Sequence, residues 1–483
     1  MAKRSRTFDE NGFPKFGMRD KLAYAAGDFG CNMSFALASY LAVFYTQYIG
    51  LSASLFALLL IILKVWDAVN DPLIGALMDG SKKTHKRGKF KSYIFVGSFG
   101  LVVAAALCFI PIPNAALWLK IAVCMLGYMA WDLFYTVVNV PYGSMVSVIT
   151  AEPGERAQLS AWRNVGALVA GMGIGVVLPM IIYDENDNLM GGMMFPIALI
   201  LGVVAFLSFR FLLRGTTERI RPEILLAEEK EKDREQFNYF RTIGNFLRNR
   251  GAMGVTLAVV AFFLGNYGAQ TAVTVMFQSY FHNAGVSGVV MLIGYIPMFA
   301  VMPFIAKIVR KWGKKEAAQI TMLLPILSSA LMLVVPIGGD AAGMLLYLLF
   351  SLVNGLGMSV FMVTSYAMLA DAIDYNQWKT GRREEGTIYA FHSFFRKIAQ
   401  GVGPSIGLLI MEALGYAGTL GANQAAQTAL NMRYMVAAMA LFSAAAAWAC
   451  VRFIFNIDKK SLAEMEAALG RSNAALMGKQ IAE

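Results

Sequence analysis

The sequence predicts an all-α polytopic membrane protein with about twelve transmembrane helices. Of its 483 residues, 57% are hydrophobic and only 15% are charged, and a soluble protein of this length could not solvate so apolar a surface. The apolar stretches reach roughly 20 residues, the length at which an α-helix crosses a hydrocarbon core. The basic residues, which give a net charge of +11, are concentrated between these stretches. That distribution is a topology signal and does not indicate nucleic-acid binding.

The apolar stretches form two sets of six, separated by a charged segment whose run AEEKEKDREQ cannot enter lipid. We therefore predict an N-terminal six-helix bundle over residues 1–213, a central loop over 214–250, a C-terminal six-helix bundle over 251–457 and a tail over 458–483 that includes a short amphipathic helix. The predicted spans, to within about four residues at each end, are 23–48, 53–79, 92–111, 116–141, 158–183, 193–213, 252–281, 286–309, 316–336, 342–370, 387–415 and 430–456.

The loops between these spans alternate in charge. Lys and Arg are abundant at residues 82–91, 214–250, 307–315 and 379–383. The intervening loops carry almost no positive charge and read IGLSA, PIPNAALW, YDENDNLMGG, HNAGVSG and IGGDAAG. Because cytoplasmic loops carry the excess of Lys and Arg, we predict that both termini and the central loop are cytoplasmic in a plasma (inner) membrane protein.

The second predicted helix carries ionisable residues that a membrane helix retains only for pairing or for function. Asp67 and Asp71 lie at i and i+4 on one face, with Asn70 beside them and Lys64 one turn away. Two carboxylates at this spacing repel each other unless a cation or a proton lies between them. The simpler alternative is that Asp67 only pairs with Lys64, while Asp71 caps a kink at Pro72.

The fourth predicted helix presents Asp132, Thr136 and Asn139 on one face. Counted from the outer ends of the two spans, Asp132 and Thr136 lie at nearly the depths of Asp67 and Asp71. The two helices can therefore share one cation site built from oxygen ligands, as a hard monovalent cation requires. If the ion is Na⁺, Asp67 and Asp71 are its predicted ligands.

The eleventh predicted helix carries His392, Arg396 and Lys397 within an apolar span. Lys397 is predicted near mid-depth, where it would face the carboxylates of the second helix across the cavity and, together with Lys64, couple the two halves. The alternative is snorkelling to the cytoplasmic surface, which fits Arg396 better than Lys397.

Polar and aromatic groups on other helices are candidates for the substrate site. The first helix contributes Asp28 and Asn32, and the fifth contributes Arg163; pairing at the cytoplasmic surface is the alternative for these three. Tyr135 belongs to a set of aromatic residues that could hold a pyranose ring, although Tyr and Trp are also enriched at lipid interfaces.

Placed motifs along the chain resemble one transporter family. The pattern Gly75-x-x-x-Asp79 followed by Arg87, Gly88 and Lys89 resembles the signature of the major facilitator superfamily, in which two six-helix halves enclose a midplane site. Further specific segments are AYAAGDFG, FYTQYIGLSA, WDAVNDPLIG, RGKFKSYI, YTVVNVPYGSM, ERAQLSAWR and ADAIDYNQWKTGRREEGTIYAFHSFFRK. On these segments the chain resembles, nearly end to end, the glycoside-pentoside-hexuronide:cation symporter family that includes melibiose permease.

The resemblance implies a major facilitator fold and particular roles for some of these residues. Asp67, Asn70, Asp71 and Thr136 match the cation-site positions of the family, and Lys397 matches a helix-eleven lysine placed near that site. His392 and Ser393 match positions of the family's sugar-facing polar residues. Arg163 lies within one position of the family's sugar-binding arginine on the fifth helix.

The departures from melibiose permease concern its sugar site. Asn32 and Asn139 stand where that permease has acidic sugar-binding residues, and Gly143 stands where it has a stacking tryptophan. The loss of two negative charges, with Arg163, His392 and Lys397 retained, makes the pocket more tolerant of an anionic ligand such as a glucuronide or a sulfonated sugar.

The sequence therefore predicts a symporter, coupled to Na⁺ or H⁺, that imports a sugar or glycoside by alternating access. A carrier of lysolipids or other amphiphiles is the alternative, and an enzyme is disfavoured because the three histidines lie in separate segments without HExxH or GxSxG context. The expected partners are the small-molecule substrate, the monovalent cation and the lipid bilayer. We expect no nucleic acid, no cofactor beyond the coupling ion, and a monomer.

Overall fold

The chain folds as helices grouped in two compact units. In the residues that the structure describes there is no β-strand, only an isolated β-bridge between Tyr183 and Leu189. The first unit comprises Met1–Gln236 and Gly418–Leu420, and the second comprises Phe237–Ala417 and Gly421–Glu483. The structure, a computed structural model, describes residues 14–80, 89–150, 152–219, 244, 246–381 and 385–468.

The long helices of the first unit follow the first six predicted spans. They are α1 Met18–Ala38, α2 Ala53–Gly80, α3 Lys89–Leu107, α4 Leu117–Ile149, α5 Pro153–Ile182 and α6 Met194–Gly215. The first predicted span, 23–48, is not one continuous helix. After α1 the chain turns and continues as a short helical segment, Leu41–Val43, and a π-helical turn, Phe44–Tyr48.

The second unit repeats this order with one break. Its helices are α7 Arg250–Ser279, α8 Ser287–Trp312, α9 Lys314–Thr321, α10 Leu323–Val334, α11 Ala341–Thr380, α12 Glu385–Ala413, α13 Ala426–Ala449 and α14 Lys459–Ala468. The predicted span 316–336 is divided at Met322 into α9 and α10. Pro325 explains the break, because its ring nitrogen has no hydrogen to donate to the Thr321 carbonyl.

Two helices extend past their predicted ends. The predicted spans stop at residues 141 and 370, whereas α4 continues to Ile149 and α11 to Thr380. Hydropathy marks only the part of a helix that lies in lipid, while backbone hydrogen bonds continue into polar sequence. With 40 residues, α11 measures roughly 60 Å, about twice the thickness of a hydrocarbon core.

Within each unit, the same pairs of equivalent helices pack together. In the first unit α1 contacts α5 and α6, α3 contacts α4 and α6, and α2 contacts α4. In the second, α7 contacts α12 and α13, α10 contacts α11 and α13, and α8 contacts α11. The same six-helix arrangement is therefore built twice, which is the internal repeat expected of secondary transporters.

The helices present apolar side chains on their outer surface, as a lipid solvent requires. Val334 and Trp118 are 81% and 71% exposed. Eight helical segments among the described residues are long and apolar enough to cross a membrane. With α9 and α10 counted as one crossing, the helices confirm the predicted all-α multi-pass fold with about twelve spans.

Candidate functional site

Three residues predicted for the cation site meet between α2 and α4. The Asn70 amide donates through Nδ2 to Asp132 Oδ2 at 2.9 Å and to Thr136 Oγ1 at 3.3 Å. All three side chains are buried. Thr136 follows Asp132 by one helical turn, so both side chains point to the same face of α4 and meet one residue of α2.

A cation of the chain itself lies beside this group. Lys64 Nζ donates to Asp67 Oδ2 at 2.5 Å and to the Tyr128 hydroxyl at 2.7 Å. The other carboxylate oxygen, Asp67 Oδ1, is buried and makes no hydrogen bond. Asp67 and Lys64 both interact electrostatically with Asp132. We call these residues the α2–α4 cluster, which comprises Lys64, Asp67, Asn70, Tyr128, Asp132 and Thr136.

The sequence predicted every member of the α2–α4 cluster except Tyr128. Its ring is neutral and lies one turn before the predicted face of α4, so only the packing of α2 on α4 brings it to Lys64. The Asp71 side chain lies outside the described residues. So do residues 81–88 and the side chains of residues 75–80, which contain most of the superfamily signature.

The donor set of the α2–α4 cluster suits a monovalent cation or a proton. Its oxygens come from two carboxylates, the Asn70 amide, a threonine hydroxyl and a tyrosine hydroxyl, and no thiolate or imidazole contributes. In the part of the chain that the structure describes, no three His, Cys, Asp or Glu side chains are grouped to hold a metal ion.

A second polar group joins α1 to α5. Arg163 Nε donates to Asp28 Oδ1 at 2.9 Å, and Asn32 Nδ2 donates to Asp28 Oδ2 at 3.0 Å and to the Asp28 carbonyl at 2.9 Å. The Asp28 side chain is 7% exposed, whereas that of Arg163 is 39% exposed. The predicted substrate residues Asp28, Asn32 and Arg163 thus form one network, in which Asp28 is the buried anchor and Arg163 reaches the surface of the unit.

Two tyrosines fasten α1 to α4 next to this network. The Tyr24 and Tyr142 rings stack with centroids 4.7 Å apart. Each hydroxyl donates to the main-chain carbonyl of the other residue, Tyr142 at 2.8 Å and Tyr24 at 3.3 Å. The Arg163 guanidinium lies 5.3 Å from the centre of the Tyr142 ring, within cation–π range. We call this pair the tyrosine clamp.

Tyr135 and Asn139, the residues of α4 predicted for the substrate site, lie on the same helix as Asp132 and Thr136 of the α2–α4 cluster. Tyr135 stacks on Trp131 at 5.4 Å, and Trp131 Nε1 donates to Ser34 Oγ of α1 at 2.7 Å. Asn139 is half-buried, and the described residues give its amide no hydrogen-bond partner. An anchored aromatic face and an unengaged amide are the groups with which proteins hold a pyranose ring.

The predicted residues of α12 differ in their surroundings. His392 is 2% exposed, and its Nδ1 lies 3.1 Å from Thr256 Oγ1 of α7. Ser393 is half-buried, and Lys397 is exposed. Thr256 was absent from the sequence prediction, because a lone threonine in an apolar helix gives no periodic signal.

Comparison with known proteins identifies the family to which this chain belongs. The family model described as MFS/sugar transport protein matches residues 23–459. An isoprimeverose transporter of Lactiplantibacillus pentosus is 28% identical over 462 residues, which cover 94% of this chain and 92% of that protein. A glucuronide carrier protein homolog of Escherichia coli (strain K12) is 24% identical over 405 residues, which cover 82% and 84% of the two chains.

The fold agrees with solved structures of the superfamily. A bacterial homologue of the human lysosomal transporter Spinster, in an inward-facing, unoccupied conformation, superposes with a TM-score of 0.63 over 91% of this chain and 98% of that one. At 12% identity this likeness shows the fold alone. The match over residues 23–459 and the sugar-transporter relatives confirm the predicted melibiose-permease-like family, whose members are transporters and not enzymes. The chain belongs to the MFS/sugar transport protein family and is a major facilitator transporter.

Proposed function

We propose that this chain is a symporter, coupled to Na⁺ or H⁺, that imports a sugar or glycoside by alternating access. One observation carries the proposal: α4 bears both the buried acid of the α2–α4 cluster and the sugar-type groups. Asp132, Tyr135, Thr136 and Asn139 lie within two turns of this helix, a length of about 10 Å. An ion that draws α2 and α4 together therefore also sets the positions of the sugar-facing side chains, so the two ligands can influence each other's affinity.

The substrate class is supported by side-chain chemistry and by relatives. Tyr135 and Trp131 form a stacked aromatic face, and Asn139 offers an amide for ring hydroxyls. The names of two relatives that span most of this chain refer to isoprimeverose and to a glucuronide. A sugar or glycoside is the class common to both names.

Tolerance of an anionic sugar follows from the way Arg163 is held. Its one hydrogen bond to described residues uses Nε, toward Asp28, and the side chain is 39% exposed. The two terminal nitrogens are therefore available to a carboxylate or a sulfonate, which they can bind as a planar fork. Asp28 offsets the charge of Arg163, so a neutral glycoside is also accepted.

The test is counterflow in proteoliposomes that contain the full chain. The panel comprises isoprimeverose, phenyl glucuronide, sulfoquinovose and lysophosphatidylcholine, each with and without Na⁺ and each at two pH values. We expect exchange of at least one sugar and none of the lysolipid. Exchange of the lysolipid alone would overturn the proposal and favour an amphiphile carrier.

Coupling is tested by replacing the carboxylates of α2. The double variant Asp67→Asn, Asp71→Asn should lose concentrative uptake and keep some sugar exchange, because exchange at equal ion concentrations needs no ion gradient. Glu185→Gln, in an exposed loop between α5 and α6, is the matched control and should behave as the wild type. Wild-type accumulation by the double variant would contradict ion coupling through these residues.

A further inference from the structure

The helices α3 and α6 lie side by side in the first unit and run antiparallel. Phe99 of α3 packs on Phe206 of α6 with ring centroids 4.6 Å apart. Further along α3, a Cβ added to Gly202 of α6 would lie 3.2 Å from Val102 Cγ1. The outer side of the pair is apolar, and its exposed large side chains are those of Val96, Phe99, Val103 and Leu107 on α3 and of Ile200, Val203, Leu207 and Phe211 on α6. We call these residues the α3–α6 face, which in a membrane protein is covered by lipid chains.

An arginine lies at one end of the α3–α6 face, among three phenylalanines. The guanidinium carbon of Arg210 is 3.7 Å from the ring centre of Phe95. It is 4.5 Å from the ring centre of Phe206 and 5.2 Å from that of Phe99, so all three rings are within cation–π range. Arg210 precedes the end of α6 at Gly215 by five residues, or about 7.5 Å along the helix axis. A positive charge is therefore held at the border between the apolar face and the polar end of the bundle.

A second arginine continues the same side of α6. The positions of this stripe, spaced at helical intervals along one face, are Val203, Leu207, Arg210 and Arg214. Arg214 is exposed and lies in the last turn of α6. The stripe thus changes from apolar to cationic as it approaches the end of the helix.

Other charged groups surround the end of α6. Arg19 Nη2 donates to the Arg214 carbonyl at 2.7 Å. Lys91 Nζ donates to two carbonyls at and just after the end of the helix, at 3.1 and 2.6 Å. The acids Asp20 and Glu218 interact electrostatically with Lys91, and Asp20 is paired with a further arginine at 3.0 Å. These acids are therefore engaged by cations behind α6, while Arg210 and Arg214 lie on the stripe that lipid covers.

A cationic end on an apolar face fits an amphiphile with a negative headgroup. Arginine binds phosphate oxygens through its N–H groups, and basic groups between transmembrane helices bind anionic lipid headgroups. A free phosphate ion would use the two arginines and leave the α3–α6 face unused. A zwitterionic lipid carries an ammonium group beside its phosphate, and the arginines repel that group. An anionic phospholipid uses both the charges and the apolar face.

We propose that the cationic end of the α3–α6 face is a binding site for an anionic phospholipid. The lipid phosphate contacts Arg210 and Arg214, and an acyl chain lies along Leu207 and Val203. The three phenylalanines hold the Arg210 side chain in place, so less side-chain entropy is lost when the phosphate binds. The site uses no residue of the α2–α4 cluster and does not depend on which sugar the chain transports.

Native mass spectrometry of the purified, delipidated full chain measures lipid binding directly. Phosphatidylglycerol and phosphatidylcholine with the same acyl chains are titrated separately, and we expect the wild type to bind phosphatidylglycerol more tightly. Arg210→Gln should weaken phosphatidylglycerol binding about fivefold, the contribution of one cation near an anionic headgroup. Its effect on phosphatidylcholine should be smaller. Arg310→Gln changes an exposed arginine in the last turn of α8; it is the matched control and should bind phosphatidylglycerol as the wild type does.

A phosphatidylglycerol with a photoactivatable acyl chain locates the site in the wild type. Its cross-links should fall on α3 and α6, and an excess of inorganic phosphate should not prevent them. Equal affinity of the wild type for the two lipids, cross-links confined to other helices, or wild-type affinity in Arg210→Gln would each overturn the proposal. Displacement by inorganic phosphate would show a site for the free anion and would overturn it as well. If Arg210→Gln does not fold, the lipid comparison and the cross-links in the wild type still decide.

Discussion

Asp28 holds Arg163 through a single nitrogen, and this way of holding it determines what the guanidinium can still bind. A guanidinium paired through its two terminal nitrogens could not offer that same pair of nitrogens to a ligand, whereas pairing through Nε leaves both terminal nitrogens for a bidentate contact. Asn32, which stands where the resemblance places an acid, turns back onto Asp28 instead of facing away. At the scale of single residues, the hydrogen-bonding groups of the site are only partly engaged by other described residues, as the terminal nitrogens of Arg163 show.

We predict that Arg163→Gln weakens binding of an acidic glycoside more than binding of its neutral counterpart. The expected difference is about 1.5 to 3 kcal/mol, the range for a hydrogen bond to a charged group. Competition binding with phenyl glucuronide and phenyl glucoside measures it. The control is the double variant Asp28→Asn, Arg163→Gln, which avoids a buried unpaired carboxylate. Equal losses for both ligands would show that Arg163 is only structural.

The sequence allowed most polar residues of the site to be predicted, but not the hydroxyl partners Tyr128 and Thr256. Asp67, Asn70, Asp132 and Thr136 stand out because polar residues at helical spacing are rare in apolar spans. The partners Tyr128 and Thr256 are common in such spans, and they acquire a role only where another helix crosses. The points where two helices cross depend on packing between segments that are far apart in the sequence. The periodicity of a single helix carries no information about that packing.

At the scale of helices, α1 and α5 approach closely at Gly166. A Cβ at this position would lie 2.0 Å from the Ala25 carbonyl oxygen of α1, and that backbone atom cannot move aside. Gly171, one and a half turns further along α5, has open space where its Cβ would be. The two glycines lie on one helix and differ mainly in what faces them, so they form a matched pair.

We predict that Gly166→Ala destabilises the protein and that Gly171→Ala does not. The first change forces α1 and α5 apart, at a cost of about 1 to 3 kcal/mol or more. The second adds helix propensity worth up to about 1 kcal/mol. Thermal unfolding in detergent, followed by tryptophan fluorescence, compares the two. A Gly166→Ala variant as stable as the wild type would contradict the close approach.

The short helix α14 begins at a carboxylate cap. Asp458 Oδ1 accepts from the Ser461 amide at 2.8 Å and from the Ser461 hydroxyl at 2.7 Å. These hydrogen bonds lower the pKa of Asp458 below its usual value. A carboxylate with a lowered pKa stabilises the helix above the pKa of the unfolded chain, and this contribution is lost as the pH falls through the folded value.

We predict that Asp458→Ala frays α14, with a loss of about 1 kcal/mol in local stability at neutral pH. Hydrogen exchange of amides 459–468 should become faster in this variant, and acidification should speed the same amides in the wild type. Ser461→Ala, which removes only the hydroxyl donor, should have a smaller effect. Unchanged exchange in Asp458→Ala would show that tertiary contacts hold the helix.

At the scale of the molecule, the two units share one packing pattern, and this was predictable as two sets of six spans. The breaks in the pattern were less predictable. The division at Met322 depends on one proline, and the extra length of α11 lies outside the apolar run that predicted it. The orientation in the membrane and the coupling role of Lys397 stay predictions, drawn from loop charge and from family resemblance.

We predict that Lys397→Gln reduces net uptake more than exchange, by about tenfold, which corresponds to about 1.4 kcal/mol of lost electrostatic stabilisation in the empty carrier. Exchange with both ligands present does not pass through the empty state, so it should survive. Paired uptake and counterflow assays in vesicles measure the ratio. Lys379→Gln, at the end of α11, is the control. Equal loss in both assays would count against a coupling role.

The tyrosine clamp has a consequence for how this sequence can evolve. Each hydroxyl donates to the main-chain carbonyl of the other residue, and that carbonyl is present whatever side chain the residue carries, so one Tyr→Phe change removes one hydrogen bond and leaves the other in place, at a cost of about 0.5 to 1.5 kcal/mol. The two hydrogen bonds use separate donors and acceptors, so the second change should cost about as much again, and the ring stack is the contact that both residues share. Tyr24 and Tyr142, 118 positions apart, should accordingly tolerate replacement by Phe one at a time. Replacement of either ring by a small side chain removes the stack, so in a lineage that loses one ring the other has lost its partner.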